Sequence, residues 1–280
     1  MSDSFLSFKE FLNESKLWED LLEEGTSYSI YVAEPILTEA EAEGVDVFHL
    51  NKAVDAVYMI NMDKRKDRLK SFQEEAEKRN LKFKRIAGVD GEKLPAKDIE
   101  HFLDKVGGVR RMKKFKGKDY REAKARGRAG CNASHIKCIE EAKKAGHKNV
   151  CILEDDTHFT DKFNDNFKAA WESKPKNYDL FYFWMGGKNE KAIEKGKYDE
   201  KEYNDHLIQI MKGGFATVGY IANVDALHKL YNSEDWKTSG LVIDVGLATF
   251  LHPKGNCYYM KNKSVKFKKD FSDIEKVVIS

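Results

Sequence analysis

The chain has 280 residues, 41% of them hydrophobic and 34% charged, with a formal net charge of +2 and only 4 prolines. This composition is typical of a globular protein with a sizeable core, and it excludes collagen-like and generally disordered chains. No apolar run approaches the roughly 18 residues of a transmembrane helix, and the N-terminus lacks the basic start and apolar core of a signal peptide. The 4 cysteines show neither a Cys-x-x-Cys pair nor a secreted framework, so we expect a cytoplasmic protein in a reducing compartment.

Residues 1–52 are predicted to form a helical appendage and a connector, ahead of a single domain over residues 53–280. The appendage is indicated by apolar residues that recur near helical spacing among acids, namely Phe5, Phe8, Phe11, Leu12, Leu17, Leu21 and Leu22. The predicted helix ends at Gly25, because glycine favours helix termination.

A β-α-β unit is predicted at the start of the domain. The short apolar run from Ala56 to Asn61 stops at a polar, charged stretch, as a buried strand does when its carboxyl end reaches solvent. Apolar side chains three and four residues apart within 66–80 then indicate a helix. Residues 81–83 alternate like a second strand before the turn at 87–91.

Further strands and helices alternate along the rest of the chain. A helix is predicted over 134–145 with its end at Gly146, followed by a buried strand over 149–153. Strands are also predicted at 179–184 and 216–222, and a helix at 225–231. This alternation predicts an α/β fold with a mostly parallel sheet flanked by helices, whose ligands bind beyond the carboxyl ends of the strands.

Three consecutive carboxylates, Glu154, Asp155 and Asp156, follow the buried strand. Three such charges repel one another unless a cation or a basic partner lies between them, and carboxylate oxygens suit Mg²⁺ or Mn²⁺ shared with phosphates. If the strand geometry persists, Glu154 and Asp156 point to one side and Asp155 to the other. A solvated acidic turn is the alternative for an isolated triplet.

Four blocks of this sequence, taken in order, resemble glycosyltransferase family 25, which includes lipopolysaccharide glycosyltransferases and collagen hydroxylysine galactosyltransferases. The blocks are Val-Tyr-Met-Ile-Asn-Met-Asp-Lys-Arg-Lys-Asp-Arg at 57–68, Arg-Ile-Ala-Gly-Val-Asp-Gly at 85–91, Gly-Cys-Asn-Ala-Ser-His at 130–135 and Ile-Leu-Glu-Asp-Asp at 152–156. Each block is weak alone, but their order is specific, and the matches fade after Asp156.

The resemblance implies the A-type glycosyltransferase fold and sugar transfer with inversion from a nucleotide-diphosphate sugar, with a UDP-sugar expected. It implies Glu154 and Asp156 as ligands of Mn²⁺ or Mg²⁺. It places these residues near the donor: Asn61, Arg65, Arg68, Asp90, Ser134, His135 and Asp155. Each has a structural alternative, since arginines decorate first helical turns, Asn and Asp shape turns, and Ser134 suits a helix N-cap.

Beyond the carboxylates, Gly213 and Gly214 precede a predicted strand, and such loops approach the sugar in A-type enzymes similar to this one, although a plain turn is an equal alternative. Asp244 lies in an apolar stretch after Gly240. A carboxylate in such a run requires a hydrogen-bond or ionic partner, or a functional role, so Asp244 is the candidate general base. His252 is a weaker candidate for a metal ligand, because a lone histidine is more often structural.

The segment from Arg110 to Arg128 contains ten Lys and Arg residues, those two included, and only two acidic residues, Asp119 and Glu122. We interpret this run as an acceptor-facing loop for a polyanion. The candidate acceptor-binding residues are Arg110, Arg111, Lys113, Lys114, Lys116 and Lys118.

Hydroxymethylcytosine in phage DNA is the favoured acceptor, because about fifty residues precede the first strand and Phe8-Lys9-Glu10-Phe11-Leu12 resembles the N-terminal segments of tailed-phage proteins. The chain would then act in the cytoplasm of a bacterial host. The target base would have to leave the stack to reach the sugar. Lipopolysaccharide core is the alternative acceptor. A non-catalytic DNA- or glycan-binding module is the alternative from another class, and the intact acidic motif argues against it.

Overall fold

The computed structural model describes residues 48–103, 114–115, 118–188, 190–215 and 217–267. The predicted N-terminal helix lies outside these residues. Of the candidate acceptor-binding residues, Arg110, Arg111, Lys113 and Lys116 lie outside them, as do the side chains of Lys114 and Lys118.

The described residues form alternating strands and helices. The strands are β1 (Ala56–Asn61), β2 (Lys84–Ala87), β3 (Lys114–Phe115), β4 (Lys118–Asp119), β5 (Asn149–Glu154), β6 (Thr157–Phe159), β7 (Leu180–Tyr182), β8 (Asp199–Glu202), β9 (Leu207–Lys212), β10 (Gly219–Asn223), β11 (Cys257–Met260) and β12 (Val265–Phe267). The helices are α1 (Leu50–Ala53), α2 (Lys66–Lys78), α3 (Ala96–Leu103), α4 (Tyr120–Lys144), α5 (Phe163–Glu172), α6 (Glu190–Glu194), α7 (Val224–Tyr231), α8 (Glu234–Ser239) and α9 (Ile243–Phe250), with 3₁₀ turns at Gly91–Lys93 and His252–Lys254.

An eight-stranded sheet in the order β2-β1-β5-β10-β7-β11-β9-β8 forms the centre of the molecule. Strands β2, β1, β5, β7, β11 and β8 run in one direction, and β10 and β9 run in the other. The pairs β6–β12 and β3–β4 are antiparallel and lie outside this sheet. The predicted α/β class with a mostly parallel sheet is therefore confirmed.

Helices cover both faces of the sheet, because strand side chains alternate between two apolar layers. In β5, Val150 and Ile152 pack with α4 and α7, whereas Cys151 and Leu153 pack with α2 and α5. The second layer extends to Phe48, whose ring lies 5.4 Å from those of Phe159 and Phe163. Phe48, five positions ahead of Ala53, thus belongs to this apolar layer.

Two predicted elements differ from the structure. The second strand is at Lys84–Ala87 rather than 81–83, because Leu81 instead closes the end of α2 through a backbone hydrogen bond to Ala76. Helix α4 begins at Tyr120, so residues 120–128 are helical and the prediction of a loop through Arg128 is wrong there. Between Tyr120 and Gly130 its buried side chains are the small ones of Ala123, Ala125 and Ala129, which give little apolar periodicity in the sequence.

All 4 cysteines are unpaired, and Cys138, Cys151 and Cys257 are buried. Within the described ranges, none of the helices combines the length and the apolar character needed to cross a membrane.

Candidate functional site

The ends of β1, β2 and β5 bring the sequence blocks together at one edge of the sheet. Asn61 pairs in register with Ala87 of β2, and its neighbour Ile60 pairs with Glu154 of β5. Because these strands are parallel, the residues that follow them emerge on the same side. The first, second and fourth blocks therefore converge, and α4 supplies the third.

Asn61 and Arg68 hold the first aspartate of the acidic motif. The Asn61 amide donates to Asp155 Oδ2 at 2.7 Å, and Arg68 donates to Asp155 Oδ1 at 2.8 Å. Arg68 also donates to Asp156 Oδ2 at 3.2 Å. Burial raises the pKa of Asp155, while Arg68 and Asn61 oppose that rise. The guanidinium is thus bound by carboxylates of the motif itself.

Glu154 faces the opposite layer, toward α4. Its Oε1 lies 3.5 Å from His135 Nε2 and accepts a 2.5 Å hydrogen bond from the Thr217 hydroxyl. Burial opposes its ionisation, but the interactions with His135 and Thr217 hold the pKa of Glu154 below the ordinary value. His135 Nδ1 lies 2.8 Å from the Tyr220 hydroxyl, so both ring nitrogens have partners. His135 therefore orients Glu154 in this structure.

The predicted alternation is correct for Glu154 and Asp155, which face opposite layers. It fails for Asp156, because β5 ends at Glu154 and the following turn carries Asp156 to Arg68, beside Asp155. Burial, and then repulsion by Glu154, raises the pKa of Asp156 to about 7. Asp156 Oδ1 is buried and accepts no hydrogen bond from the described residues. A buried carboxylate oxygen that accepts no hydrogen bond is stabilised by a bound cation or by a proton.

Asp244 lies near the acidic motif, in the first turn of α9. Its Oδ1 accepts a 2.8 Å hydrogen bond from the Val245 amide. Burial raises the pKa of Asp244, Glu154 adds to the rise, and Arg128 opposes it. Burial also raises the pKa of the Cys131 thiol, and the charges of Glu154, Asp244 and Asp156 raise it further.

One face of α4 lines this region, because Arg128, Cys131, Asn132 and His135 follow helical spacing. The Asn132 amide donates a 2.7 Å hydrogen bond to the Leu241 carbonyl, three residues before Asp244. This contact ties the segment that leads into α9 to α4.

The second and third blocks meet in a close contact between α4 and the loop after β2. A side chain at Gly130 would lie 2.7 Å from the Val89 carbonyl, so glycine is required there. Ser134 donates to the Gly130 carbonyl at 2.7 Å and accepts from the Val89 amide at 2.8 Å. The N-cap prediction for Ser134 is wrong, because the helix begins 14 residues earlier. Asp90 accepts a 3.2 Å bond from the Glu92 amide and caps the 3₁₀ turn.

Other predicted site residues have local partners in the structure. Arg65 binds Asp67 through two hydrogen bonds of 3.1 and 3.0 Å and lowers the pKa of that carboxyl to about 2. Gly213 and Gly214 have φ angles of +68° and +79°, which glycine adopts without strain.

His252, the weaker candidate for a metal ligand, uses both ring nitrogens within the protein. Its Nδ1 lies 2.6 Å from the Gly213 carbonyl, and its Nε2 lies 2.9 Å from the Tyr182 hydroxyl. Burial lowers the pKa of His252 to about 4. The neutral ring therefore donates to Gly213 and accepts from Tyr182, a structural arrangement.

Sequence reasoning missed two contributors to the site. Arg85 donates to the Asn61 side chain at 3.0 Å and to the Asn61 carbonyl at 3.1 Å, so it fixes the amide that holds Asp155. The position of Arg85 in the second sequence block was the signal that could have identified it as a site residue. Thr217 binds Glu154 from 63 positions away, and no local pattern points to it.

The residues present fit a hard divalent cation shared with a ligand. No group of three His, Cys, Asp or Glu side chains among the described residues is arranged to enclose a metal ion. Glu154 and Asp156 leave the strand on different sides, but they are near enough for Glu154 to repel Asp156 and raise its pKa. Asp156 Oδ1 is also buried and has no partner among the described residues. Mg²⁺ and Mn²⁺ are commonly held by one or two carboxylates, with phosphates and waters completing the shell.

Comparison with known proteins identifies the family of the chain. The model of glycosyltransferase family 25, described as an LPS biosynthesis protein family, matches residues 54–245. The chain belongs to glycosyltransferase family 25.

Similar proteins include a glycosyltransferase 25 family member of Drosophila pseudoobscura pseudoobscura, 25% identical over 63% of this chain and 27% of its own length. Procollagen galactosyltransferase 1 of Danio rerio is 24% identical over 65% of this chain and 29% of its own length. The chain thus spans less than a third of the curated relatives it matches. A crystal structure of mannose-1-phosphate geranyltransferase from Thermus thermophilus aligns over 79% of this chain and 76% of its own, with a TM-score of 0.34 and 8% identity.

Proposed function

We propose that this chain is a divalent-cation-dependent glycosyltransferase that transfers a sugar, with inversion, from a nucleotide-diphosphate sugar to a hydroxyl of a saccharide acceptor. The observation that carries the proposal is the buried Oδ1 of Asp156, which has no partner among the described residues and lies at the carboxyl edge of a mostly parallel sheet, within reach of the charge of Glu154. Ligands of such sheets bind at this edge. UDP is the proposed carrier, on the strength of the family resemblance.

Glu154 and Asp156 would hold Mn²⁺ or Mg²⁺, which would supply positive charge to the departing diphosphate. His135 and Thr217 orient Glu154, and Arg68 sets the position of Asp156. Arg65 and Arg68 add positive charge near the end of β1, where a diphosphate would gain from it. The protein thus has charges of both signs at the place where the leaving group would develop its negative charge.

Asp244 is the proposed general base. The acceptor hydroxyl would give its proton to the Asp244 carboxylate as its oxygen bonds to the anomeric carbon, and the electron pair of the broken bond would leave with the nucleoside diphosphate. Burial raises the pKa of Asp244, and a base with a pKa nearer to neutrality accepts a proton more effectively. A single displacement of this kind inverts the linkage.

Lipopolysaccharide core is the proposed acceptor, because the family model that matches this chain is described by lipopolysaccharide biosynthesis. The case for hydroxymethylcytosine rests on the N-terminal segment, which lies outside the described residues, and on the basic run from Arg110 to Arg128, of which the structure describes only residues 114–115 and 118–128. Nothing among the described residues favours DNA over a saccharide, so DNA is an outcome of the test rather than a second proposal.

The test is transfer of radiolabelled sugar from UDP-sugars with Mn²⁺ to deacylated lipopolysaccharide core, with hydroxymethylcytosine DNA assayed in parallel. The Asp156→Ala variant should lose roughly 100-fold or more of the transfer rate, since stabilisation of the leaving group is lost. Asp161→Ala is the matched control, because Asp161 lies five positions downstream with its carboxylate fully exposed.

Thermal denaturation with and without Mn²⁺ gives a second readout. The cation should raise the midpoint of the wild type and of Asp161→Ala, but not of Asp156→Ala, because only a ligand bound to the folded state stabilises it. Full transfer activity in Asp156→Ala would exclude the proposed cation site.

A further inference from the structure

Asn132 is a buried asparagine of α4 whose side-chain amide is only half satisfied. The residue is 4% exposed. Its amide nitrogen donates a 2.7 Å hydrogen bond to the Leu241 carbonyl, whereas its buried Oδ1 has no hydrogen-bond partner among the described residues. Because a carbonyl can only accept a hydrogen bond, the nitrogen must face Leu241, and turning the amide over would set two oxygens against each other. The orientation of the Asn132 amide is therefore fixed.

The unpartnered oxygen indicates that Asn132 serves more than stability. A neutral hydrogen bond adds little net stability, and a buried acceptor without a partner costs as much or more. Alanine would avoid that cost and is the best helix former. It already occupies the neighbouring buried positions Ala129 and Ala133. Stability alone therefore does not account for an asparagine at this position.

The bond from Asn132 reaches the short link between α8 and α9. The Leu241 carbonyl precedes α9, whose first turn is closed by a 2.8 Å bond from the Gly246 amide to the Val242 carbonyl. Gly240, at the start of the link, has a φ angle of +60°, and a side chain on it would lie 2.1 Å from the His101 carbonyl of α3. The link is thus packed against α3 and hydrogen-bonded to α4.

Asp244 lies three residues after Leu241, in the first turn of α9. Its Oδ1 accepts a 2.8 Å hydrogen bond from the Val245 amide, so the direction of the carboxylate follows the backbone of that turn. Asp244 is also close enough to Glu154 for the charge of Glu154 to raise its pKa. A shift of the link before α9 would therefore move the Asp244 carboxylate relative to the acidic motif.

We propose that Asn132 is a positioning residue for Asp244, an inference that rests on the proposed function. By holding the Leu241 carbonyl, Asn132 sets where the first turn of α9 lies and so where the Asp244 carboxylate meets the acceptor hydroxyl. Proton transfer requires a base within hydrogen-bond reach of that hydroxyl, and a displacement of about 1 Å can lower a rate roughly 100-fold. In this role Asn132 touches neither substrate.

Steady-state transfer from radiolabelled UDP-sugar to deacylated lipopolysaccharide core, with Mn²⁺ and the full chain, tests this role. Asn132→Ala should lower kcat roughly 10- to 100-fold, because the base is misplaced. It should leave KM for the UDP-sugar within about 2-fold of the wild type, because donor binding is not changed. Asp244→Asn should lower kcat roughly 100-fold or more. In the Asp244→Asn background, Asn132→Ala should change kcat less than about 2-fold, because the two residues act as a unit.

Asn51→Ala is the matched control. The Asn51 amide also donates a 2.7 Å hydrogen bond to a distant backbone carbonyl, that of Asn80. Its helix α1 packs through Leu50 into the apolar layer on the other face of the sheet, so kcat should equal that of the wild type. If Asn132→Ala does not fold, Asn132→Ser replaces it, because a serine hydroxyl bonds back to its own helix and leaves the Leu241 carbonyl unheld.

Hydrogen exchange gives a readout that does not depend on catalysis. In Asn132→Ala, the amides of Val245 and Gly246 should exchange roughly 10-fold faster, because the segment that precedes them is released. The amides of β5 should exchange as in the wild type, and so should all of these amides in Asn51→Ala. Unchanged exchange at Val245 and Gly246 in Asn132→Ala would overturn the inference.

The transfer results separate this inference from the proposed function. Equal kcat for Asn132→Ala and the wild type, with Asp244→Asn impaired, would overturn the inference and leave the proposed function standing. The same holds if Asn132→Ala lowers kcat equally with and without Asp244, since it would then act independently of the base. A raised KM with unchanged kcat would assign Asn132 to substrate contact and overturn its positioning role. Full transfer by Asp244→Asn would overturn the proposed base and, with it, this inference.

Discussion

Replacing Arg68 by methionine should destabilise the protein strongly, because its guanidinium balances two buried carboxylates. The side chains of Arg68, Asp155 and Asp156 are 13%, 9% and 19% exposed. Methionine preserves much of the apolar stem of arginine but removes the charge and its hydrogen bonds. Asp155 and Asp156 would then remain close to Glu154 without the positive charge of Arg68.

The expected loss is about 3–5 kcal/mol in the free energy of unfolding at pH 8, the range for removing one partner of a buried ion pair. The loss should shrink at lower pH. Arg68 lowers the pKa of both aspartates in the folded state. Its removal therefore raises both folded-state pKa values further above those of the unfolded chain. The folded variant then binds more protons than the unfolded chain from about pH 4 to above pH 7, and its stability falls as pH rises through that window.

Urea denaturation of the cation-free protein at pH 5 and pH 8 measures both effects. The control is Lys143→Met, which removes the 2.6 Å ion pair between exposed Lys143 and Asp225 and should leave the denaturation midpoint unchanged within error. The double variant Arg68→Met/Asp155→Asn should regain part of the stability, because one uncompensated charge is removed with its partner. A loss below about 1 kcal/mol at pH 8, or one that does not depend on pH, would refute the reasoning.

Two further predictions concern the groups around the site. The wild type should lose about 3 kcal/mol of stability as pH falls from 6.5 toward 4, because the pKa of His252 is about 4 in the folded state and 6.5 in the unfolded state. His252→Gln should not show this loss. Identical pH dependences of urea stability for variant and wild type from pH 7.5 to 4.5 would contradict this. Gly91→Ala should cost about 3 kcal/mol or more, because its new side chain would lie 1.8 Å from the Arg126 carbonyl. Gly196→Ala, with φ +58° and open space, should cost only about 1 kcal/mol in the same denaturation assay.

Local patterns in the sequence determined the part of the site that lies at the ends of consecutive elements. The predicted strand from Ala56 to Asn61 has the observed bounds, and the predicted strand before Glu154 is one residue shorter than β5. Strand alternation also placed Glu154 and Asp155 on opposite faces. These features follow from short-range periodicity and from the rule that parallel strands end at one edge.

The first part of helix α4 shows where the spacing of apolar residues was insufficient to predict a helix. After Tyr120, its buried positions up to residue 130 are Ala123, Ala125, Ala129 and Gly130, and the contrast between apolar and polar positions is too small there to indicate a helix. Only the packing of Gly130 against Val89 shows why such small side chains are needed.

The tertiary structure alone decided the partners of each site residue. Asp156 turns to Arg68, 88 positions away, because the strand ends one residue after Leu153, and Thr217 reaches Glu154 because β10 runs antiparallel to β5. His252 reaches the Gly213 carbonyl across 39 positions. Hydrogen bonds and ion pairs of this kind depend on distances and directions between separate elements, and those are set by how the sheet orders its strands rather than by any run of neighbouring residues.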